Sequence, residues 1–362
     1  MSTIPETHEA VGHTSPTSGI VSFQVPTEIP NADEVLVRVL YAVVTPVDLW
    51  HADFNLLDFG YPSVFGVDLV GEIVKVGENA DSEFRVGDKV FAFSPDVAKV
   101  KAKAFQEYAT LSRWSIGKVP HNLTLQETAT VPDNLVTVFN TLVTDLALTI
   151  PTDFPASRSP PEASTPILVW GGAGGVGSLA LQILKLSGFK NVIAVASSRN
   201  HTLLRTLGAT HTVDYNDADV AEQIEKAAGG KVKYVFDTIS DEEYSLKPIA
   251  KVVGKGSKVA WLLPARTGGH GGVSGVSNDL TVTFPDGVEL IGVRTFEYQK
   301  NEYFKKALQS KVIPRLLAEG LVKPSKVREV GGATLLERVT AGFDVLRKGL
   351  SGERVVIKVS EA

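Results

Sequence analysis

Residues Leu168–Gly188, LVWGGAGGVGSLALQILKLSG, place five glycines in the seven positions from Gly171 to Gly177. An apolar, strand-like run precedes these glycines. After them, apolar residues recur at the three- and four-residue spacing of a buried helix face, namely at Val176, Leu179, Ala180, Ile183 and Leu184. Gly188 stands where a helix-terminating glycine is expected. This order of strand, glycine turn and helix predicts the fingerprint of a dinucleotide-binding fold.

The glycines have a physical purpose in that fingerprint. They offer two registers, Gly172-x-Gly174-x-x-Gly177 and a three-residue spacing that starts at Gly171. The missing side chains allow a tight turn, a close approach of the backbone to a pyrophosphate and close helix packing, and the free N–H groups hold the anion. The alternative is a tight turn with no ligand, which the alternating elements downstream disfavour. We therefore expect the phosphate to lie against Gly172, Ala173, Gly174, Gly175 and Val176.

The remaining chain divides into two kinds of pattern. The first third contains β-branched runs, Asp33–Val44, Gly66–Gly77 and Val86–Phe93, which predict a barrel-like or sandwich domain. A helix is expected over Leu125–Ala147, and the proline-rich stretch Ile150–Pro166 predicts a surface connection without regular structure. Beyond it, strands alternate with helices, which indicates a parallel sheet covered on both faces. The expected strands are 167–170, 191–197, 211–215, 234–239, 258–263 and 288–293, with helices near 203–207, 220–228 and 301–319, a shorter helix and a last strand over 353–359.

The loop after the second strand of this sheet predicts the type of dinucleotide. An NAD site normally places an acidic residue about 20 residues after the glycines. Here Ser197 takes that place, Ser198 and Arg199 follow, and the chain has no Asp or Glu from Ser178 to Val213. Hydroxyl groups and a guanidinium suit a 2′-phosphate, so the pattern favours NADPH over NADH. The alternative is an ordinary polar loop.

Composition excludes several classes of function. The chain has 362 residues, a net charge of −5 and no cysteine, so it has no basic footprint for nucleic acid, no disulfide, no thiolate metal site and no cysteine nucleophile. No apolar run approaches the roughly 18 residues of a membrane helix, and the polar start carries no evident signal peptide. We expect a soluble cytoplasmic protein. Its histidines show no paired metal-ligand spacing; they are residues 8, 13, 51, 121, 201, 211 and 270.

Several blocks together carry a family resemblance. They are TPVDLWHADF near residue 50, PSVFGVDLVGEIVKVGENADSEFRVGDKVFAF, GGAGGVG, LGATHTVDYND, FDTIS and GLSGERVVIKV. With them the chain resembles the medium-chain dehydrogenase/reductase superfamily, in particular its zinc-free quinone and enoyl reductase branch, and the proline-rich insert resembles that of fungal trans-acting enoyl reductases. The resemblance implies an α/β fold in which a Rossmann domain with a doubly wound parallel sheet, residues 136–296, is inserted in a β-rich GroES-like catalytic domain, residues 1–135 and 297–362.

The resemblance also implies roles for single residues. Tyr215 matches a tyrosine that contacts the ribose carrying the 2′-phosphate, or else it packs at a strand end. Thr137 matches a threonine that hydrogen-bonds the nicotinamide carboxamide, or else it bonds back to its own helical turn. Leu263 and Val293 match backbone contacts to the nicotinamide. Asp48 is either a buried hydrogen-bonding residue or part of the catalytic apparatus.

The first block departs from the zinc-dependent and the zinc-free patterns alike. Thr45 and Val67 stand where zinc-dependent relatives place a Cys and a His ligand, so a catalytic zinc is not expected. Trp50 stands where zinc-free enoyl reductases often present a Tyr or Lys, and an indole N–H is not a useful acid. The expected catalytic residues are therefore Thr137, Trp50 as a pocket-lining residue and Tyr61, with the proton donor left open between Tyr61, a water and a nearby Lys or His.

These inferences together predict a function. The leading hypothesis is an NADPH-dependent, zinc-independent reductase of an activated C=C bond in an α,β-unsaturated carbonyl compound or enoyl thioester, free or bound to an acyl carrier. The alternative within enzymes is an NADPH:quinone reductase, and the alternative outside them is a non-catalytic NADPH-binding sensor or scaffold. The substrate pocket is expected in the loops Trp50–Pro62 and Pro264–Leu280. The protein is expected to be a monomer or a homodimer.

Overall fold

A computed structural model describes residues 4–56, 60–96, 98–267 and 273–361 of the chain. These residues form two compact units. The first unit runs up to Asp133 and also contains Gln299–Glu319 and the residues from Pro324 onward, and the second contains Asn134–Tyr298 and 320–323. The domain boundaries implied by the resemblance, after residues 135 and 296, stay a prediction. No helix among the described residues is long and apolar enough to span a bilayer.

The strands and helices are numbered in chain order. The strands are β1 (Thr7–His13), β2 (Val21–Pro26), β3 (Glu34–Val44), β4 (Ser63–Val64), β5 (Asp68–Val76), β6 (Lys89–Phe93), β7 (Tyr108–Ser112), β8 (Ile116–Lys118), β9 (Ile167–Trp170), β10 (Val192–Val195), β11 (His211–Val213), β12 (Tyr234–Asp237), β13 (Lys258–Leu262), β14 (Ala265–Thr267), β15 (Gly275–Ser277), β16 (Glu289–Val293), β17 (Lys326–Val330) and β18 (Glu353–Lys358). The helices are α1 (Pro46–Phe54), α2 (Leu125–Ala129), α3 (Pro132–Phe139), α4 (Gly175–Leu186), α5 (His201–Leu207), α6 (Val220–Ala228), α7 (Lys247–Val252), α8 (Ile313–Ala318) and α9 (Leu335–Arg347).

The first unit is rich in strands, as its β-branched runs predicted, and these strands pair antiparallel except for β17 and β18, which are parallel. Its larger sheet has the order β17-β18-β3-β5-β6-β8, with β7 also paired to β3, and a smaller sheet has the order β2-β1-β4. Val37, Leu69 and Phe343 are fully buried in the apolar core between these elements. Each such side chain contributes roughly 1.5–3 kcal/mol when it leaves water, so this core stabilises the unit around the long strand β3.

The second unit contains the predicted doubly wound sheet. Six parallel strands have the order β11-β10-β9-β12-β13-β16, and β9 and β10 are buried along their whole length, which requires cover on both faces. The strand that follows β9 in the chain lies on one side of it, and β12 lies on the other. In such sheets a ligand binds at this reversal, beyond the carboxyl ends of the strands. The glycine turn begins directly after β9.

Three expectations about local structure need correction. The helix predicted over 125–147 consists of α2, then α3 continued by a π-helical turn over Asn140–Asp145. The break between α2 and α3 occurs because Pro132 has no N–H to continue the hydrogen-bond ladder of α2. The stretch 150–166 contains no strand or helix, as predicted, but it is not wholly at the surface. Phe154 is buried and packs edge to face on Phe139. In the buried stripe of α4, Val176 is only half-buried.

Candidate functional site

The turn between β9 and α4 folds back on itself within a few residues. The N–H groups of Gly171 and Gly172 both donate to the carbonyl oxygen of Val195 at 3.0 Å, and the N–H of Gly174 donates to the carbonyl of Gly171 at 2.8 Å. Gly171 has a φ of +80°, a conformation that L side chains rarely adopt. A Cβ on Gly171 would also lie 2.5 Å from the Oγ1 of Thr238 and from the Cγ1 of Ile239. The turn therefore requires glycine at this position.

Gly177 brings α4 against this turn. A Cβ on Gly177 would lie 2.3 Å from the carbonyl oxygen of Gly171 and 2.9 Å from the Cα of Gly172. Gly174 caps the helix with extended backbone, and the N–H of Ser178 is the first to donate back, to Gly174. The N–H groups of the first turn thus have no partner within the helix, and the helix dipole favours an anion in front of them. This cradle of glycines fits a pyrophosphate.

The loop after β10 is the predicted recognition loop for the 2′-phosphate. Ser197 is half-buried, and Ser198 and Arg199 are exposed. Among the described residues the guanidinium of Arg199 has no ion-pair partner. The sequence predicted no acid near this loop, but Asp214, at the end of the next strand, lies against it. The Oδ2 of Asp214 accepts the N–H of Ser198 at 2.7 Å. The contacts of the three loop residues with a coenzyme stay predictions.

Asp214 was not predicted from the sequence because only the residues that follow β10 were considered. β11 runs parallel to β10, with Val213 opposite Val195, so the residue after each strand emerges at the same edge of the sheet. A search for acids at the ends of both strands would have found it. Tyr215, one residue further, is half-buried and packs against the apolar core of the sheet. That contact is the packing role proposed as its alternative, and its role toward the ribose stays a prediction.

The residues predicted around the nicotinamide lie in one region of the second unit. Leu263 directly follows β13 and Val293 ends β16, and these strands are parallel neighbours with Leu262 opposite Val293. The Oγ1 atom of Thr137 lies 2.8 Å from the Oγ1 of Thr295, which is two residues beyond Val293. The carboxyl edge of the sheet therefore gathers these residues, and Thr295 is a neighbour that the sequence did not single out. Their contacts with a nicotinamide ring stay predictions.

In the first unit, Asp48 acts as a buried hydrogen-bond acceptor. Its Oδ2 accepts the hydroxyl of Thr45 at 2.6 Å, its Oδ1 accepts the N–H of Gly66 at 2.9 Å, and the residue is 5% exposed. Burial raises the pKa of Asp48, against the hydrogen bonds from Thr45 and Gly66, which lower it. The Asp48 carboxylate and the Thr45 hydroxyl form the capping box of α1. These contacts correspond to the first of the two roles considered for Asp48, that of a buried hydrogen-bonding residue.

The positions that the resemblance aligns with zinc ligands do not fit a metal. The hydroxyl of Thr45 is committed to Asp48, and Val67 is a buried apolar side chain with no donor atom. Among the described residues no three His, Asp or Glu side chains are arranged to hold a metal ion. His270 and the rest of 268–272, part of the predicted pocket loop, lie outside the described residues, as do residues 57–59 of the other loop.

Two of the predicted catalytic residues belong to α1 and the segment after it. Trp50 is half-buried on α1, and Tyr61 is half-buried after it. The hydroxyl of Tyr61 donates to the Oδ1 of Asn55 at 2.8 Å, and Asn55 caps the end of α1 with a left-handed backbone. The proton of this hydroxyl is thus already engaged. Their catalytic roles stay predictions.

The open alternative of a nearby Lys or His includes His51 and Lys103 of this unit. Both His51 and Lys103 are 3% exposed. Burial lowers the pKa of His51 to about 4, helped by the neighbouring His13 and Lys103, and burial lowers the pKa of Lys103 to about 8, against the opposing effect of Asp48. Lys103 is therefore the one of the two that carries a proton at neutral pH.

Comparison with known proteins adds a second line of evidence. The family model described as the alcohol dehydrogenase GroES-like domain matches residues 31–140, and the model described as zinc-binding dehydrogenase matches residues 175–262. The trans-enoyl reductase himH of Aspergillus japonicus is 31% identical over 335 residues, which are 91% of this chain and 90% of that relative.

Solved structures show the same fold at lower identity. The CurK enoyl reductase superposes with a TM-score of 0.72 at 19% identity, over 98% of this chain and 99% of the other. The quinone oxidoreductase from Coxiella burnetii gives a TM-score of 0.66 at 20% identity, over 98% of this chain and 100% of the other. The full-length relative, the two family models and the Rossmann and GroES-like architecture agree. The chain therefore belongs to the medium-chain dehydrogenase/reductase superfamily of oxidoreductases.

Proposed function

We propose that the protein is an NADPH-dependent, zinc-independent reductase of an activated C=C bond in an α,β-unsaturated carbonyl compound or an enoyl thioester. The observation that carries the proposal is the turn Gly171–Gly177, in which even one Cβ at Gly177 would meet backbone at 2.3 Å, as a cradle for a dinucleotide demands. The similarity over nearly the full length to a protein named trans-enoyl reductase supports the choice of reaction.

The residues of the second unit would hold the coenzyme in three places. The first-turn N–H groups of α4 hold the pyrophosphate, the Ser197 hydroxyl and the Arg199 guanidinium meet the 2′-phosphate, and Thr137 lies on the nicotinamide side. When bound, the reduced nicotinamide supplies a hydride for the β-carbon of the substrate. NADPH is preferred to NADH in this proposal because the guanidinium of Arg199, which has no ion-pair partner in the described part of the chain, lies in the loop where the 2′-phosphate is expected.

Reduction of the double bond then requires the protein to stabilise a developing negative charge and to allow delivery of a proton. As the β-carbon gains hydride, the π electrons of the C=C bond move toward the carbonyl oxygen. Hydrogen-bond donors must stabilise this oxygen, since the described residues hold no cluster that could bind a metal ion. The α-carbon takes up a proton. Tyr61 is our candidate acid, since a phenol hydroxyl can pass on a proton once it leaves Asn55, to which it donates at 2.8 Å in this structure. Trp50 contributes surface only, because its indole is not an acid.

Quinone reduction is the second candidate, and two observations favour it. The tyrosine or lysine that enoyl reductases often present is replaced by Trp50, and the hydroxyl of Tyr61 already donates to Asn55. A quinone takes hydride without a positioned acid at carbon. The non-catalytic alternative, a protein that binds NADPH and reduces nothing, starts from the same two facts.

A panel of acceptors separates the three functions. The purified protein is assayed for NADPH oxidation with an α,β-unsaturated aldehyde, an enoyl thioester and a benzoquinone, and each assay is repeated with NADH. We expect turnover of the first two acceptors and a higher kcat/KM with NADPH. Turnover of the quinone alone supports the second candidate. NADPH binding without oxidation by any acceptor supports the non-catalytic one.

A substitution tests the acid. Tyr61→Phe removes only the hydroxyl, and general acid catalysis typically contributes about 10²–10⁴-fold. We expect kcat for the unsaturated aldehyde to fall within that range, while binding of NADPH is unchanged. Trp50→Phe is the matched control, because it alters an aromatic side chain nearby in the sequence without removing an acid. An unchanged kcat in Tyr61→Phe assigns the proton to water or to Lys103.

A further inference from the structure

Asp214 is a buried carboxylate that the mechanism does not use. It directly follows β11 and is 9% exposed. Its Oδ2 accepts the N–H of Ser198 at 2.7 Å, and its Oδ1 accepts the N–H of Asn216 at 2.9 Å and the side-chain amide of Asn216 at 2.8 Å. It therefore joins the end of β11 to the loop in which the 2′-phosphate is expected.

The carboxylate is ionised at every pH at which the protein would work. Burial alone would raise the pKa of Asp214, but the hydrogen bonds from Asn216 and Ser198 outweigh it and lower the pKa to about 2. A fixed negative charge beside this loop can have two opposite effects. It can repel a phosphate and accept the 2′-hydroxyl of NADH, or it can hold the backbone in a conformation that suits the phosphate.

The number of acceptor sites already occupied favours the second of these effects. A carboxylate offers about four lone-pair sites. The N–H of Ser198 occupies one of them on Oδ2, and the two N–H groups of Asn216 occupy two on Oδ1. About one site, on Oδ2, is left, so most of the acceptor capacity of this carboxylate is used within the protein. Its charge is spread over donors of the protein itself, which weakens its repulsion of a nearby anion.

The hydrogen bond from the N–H of Ser198 to Asp214 fixes the turn over Ser198–Asn200. This turn is a single 3₁₀ turn without a side-chain cap, closed by the N–H of Asn200 donating to Ser197 at 2.9 Å. Such a short turn has little stability of its own. The hydroxyl of Ser197 and the guanidinium of Arg199 have no hydrogen-bond or ion-pair partner among the described residues. Asp214 therefore holds in place a turn whose two polar groups are available to a phosphate.

We propose that Asp214 is a positioning residue for coenzyme selection, which favours the 2′-phosphate of NADPH by holding the Ser198–Asn200 turn. The inference rests on the proposed function. It predicts that loss of the carboxylate weakens binding of a 2′-phosphate, whereas a repelling carboxylate would predict the opposite sign. The two explanations are thus separated by the direction of one measurement.

The experiment uses the full chain and two probes that differ only in the phosphate. Dissociation constants for adenosine 2′,5′-bisphosphate and for adenosine 5′-monophosphate are measured by titration calorimetry for the wild type, Asp214→Asn and Asp217→Asn. Asp214→Asn removes one acceptor and the charge. Asp217 is exposed and bonds Gln223, so its substitution removes the same charge three residues away without touching the turn.

We expect Asp214→Asn to weaken the bisphosphate about tenfold, the effect of one charge-assisted hydrogen bond, and the monophosphate by less than about twofold. Asp217→Asn leaves both constants unchanged. Tighter binding of the bisphosphate to Asp214→Asn, or equal weakening of both probes, overturns the inference. If Asp214→Asn does not fold, Asn216→Ala, which removes one donor from the carboxylate, must shift the ratio of the two constants in the same direction.

The wild-type measurement separates this inference from the proposed function. If the wild type binds the monophosphate as tightly as the bisphosphate, the choice of NADPH fails whatever Asp214 does. If the wild type prefers the bisphosphate and Asp214→Asn keeps the full preference, the role of Asp214 fails and NADPH stands.

Discussion

Gly177→Ala tests the central element of the site with a single added methyl group. The new Cβ would lie 2.3 Å from the carbonyl oxygen of Gly171, and ordinary contact begins at 3.4 Å, so α4 and the turn must separate by about 1 Å. Overpacking of this kind costs roughly 1–3 kcal/mol of folding stability. The same displacement carries the first-turn N–H groups away from the pyrophosphate, and the loss of one charge-assisted hydrogen bond weakens binding about 10–100-fold.

The assay compares this variant with a glycine that has room for a side chain. Coenzyme affinity is measured by fluorescence titration with NADPH, and stability by thermal unfolding. Gly331→Ala is the control, since a Cβ at Gly331 meets nothing within 4 Å, and it should match the wild type in both measurements. Wild-type affinity in Gly177→Ala would mean that the turn does not grip the coenzyme. Equal losses in both variants would show that the effect is not one of contact at Gly177.

Two further predictions concern the first unit. Arg354→Met removes the guanidinium that contacts Asp68 at 3.3 Å and Asp133 at 3.1 Å, so we expect urea unfolding to show a loss of about 3–5 kcal/mol. Arg328→Met, which breaks an exposed pair on the neighbouring strand, should cost no more than about 1 kcal/mol, and similar losses in both variants contradict the reasoning. Burial lowers the pKa of His51 to about 4 from 6.5, so the unfolded chain binds this proton more tightly. The resulting stability, about 3 kcal/mol, is present above pH 6.5 and lost as pH falls toward 4. The unfolding free energies of the wild type and His51→Gln are compared at pH 7.5 and 4.5. A difference between the two proteins that does not change with pH contradicts this prediction.

Local features of the sequence predicted most of the second unit. The strand β9, the glycine turn, the helix α4 and its terminating Gly188, which has a φ of +85°, all follow from the spacing of apolar residues and glycines within a few turns of chain. The bounds of α6 agree with the helix predicted over 220–228. The helix predicted over 125–147 failed for an equally local reason, since the apolar pattern continued across Pro132 while the hydrogen-bond ladder could not.

The order of residues along the chain thus settled that this is a superfamily member with a parallel sheet and a glycine cradle, because periodicity and missing Cβ atoms act between near neighbours. It could not assign the partners of Asp214, Thr137 or Arg354. The contacts of Arg354 with Asp68 span 286 residues, and those of Thr137 with Thr295 span 158. Such contacts arise when the fold brings together segments that are far apart in the chain, and the order in which elements associate leaves no trace in local spacing. Folding alone decided that a carboxylate supports the loop from which the linear sequence seemed to exclude every acid.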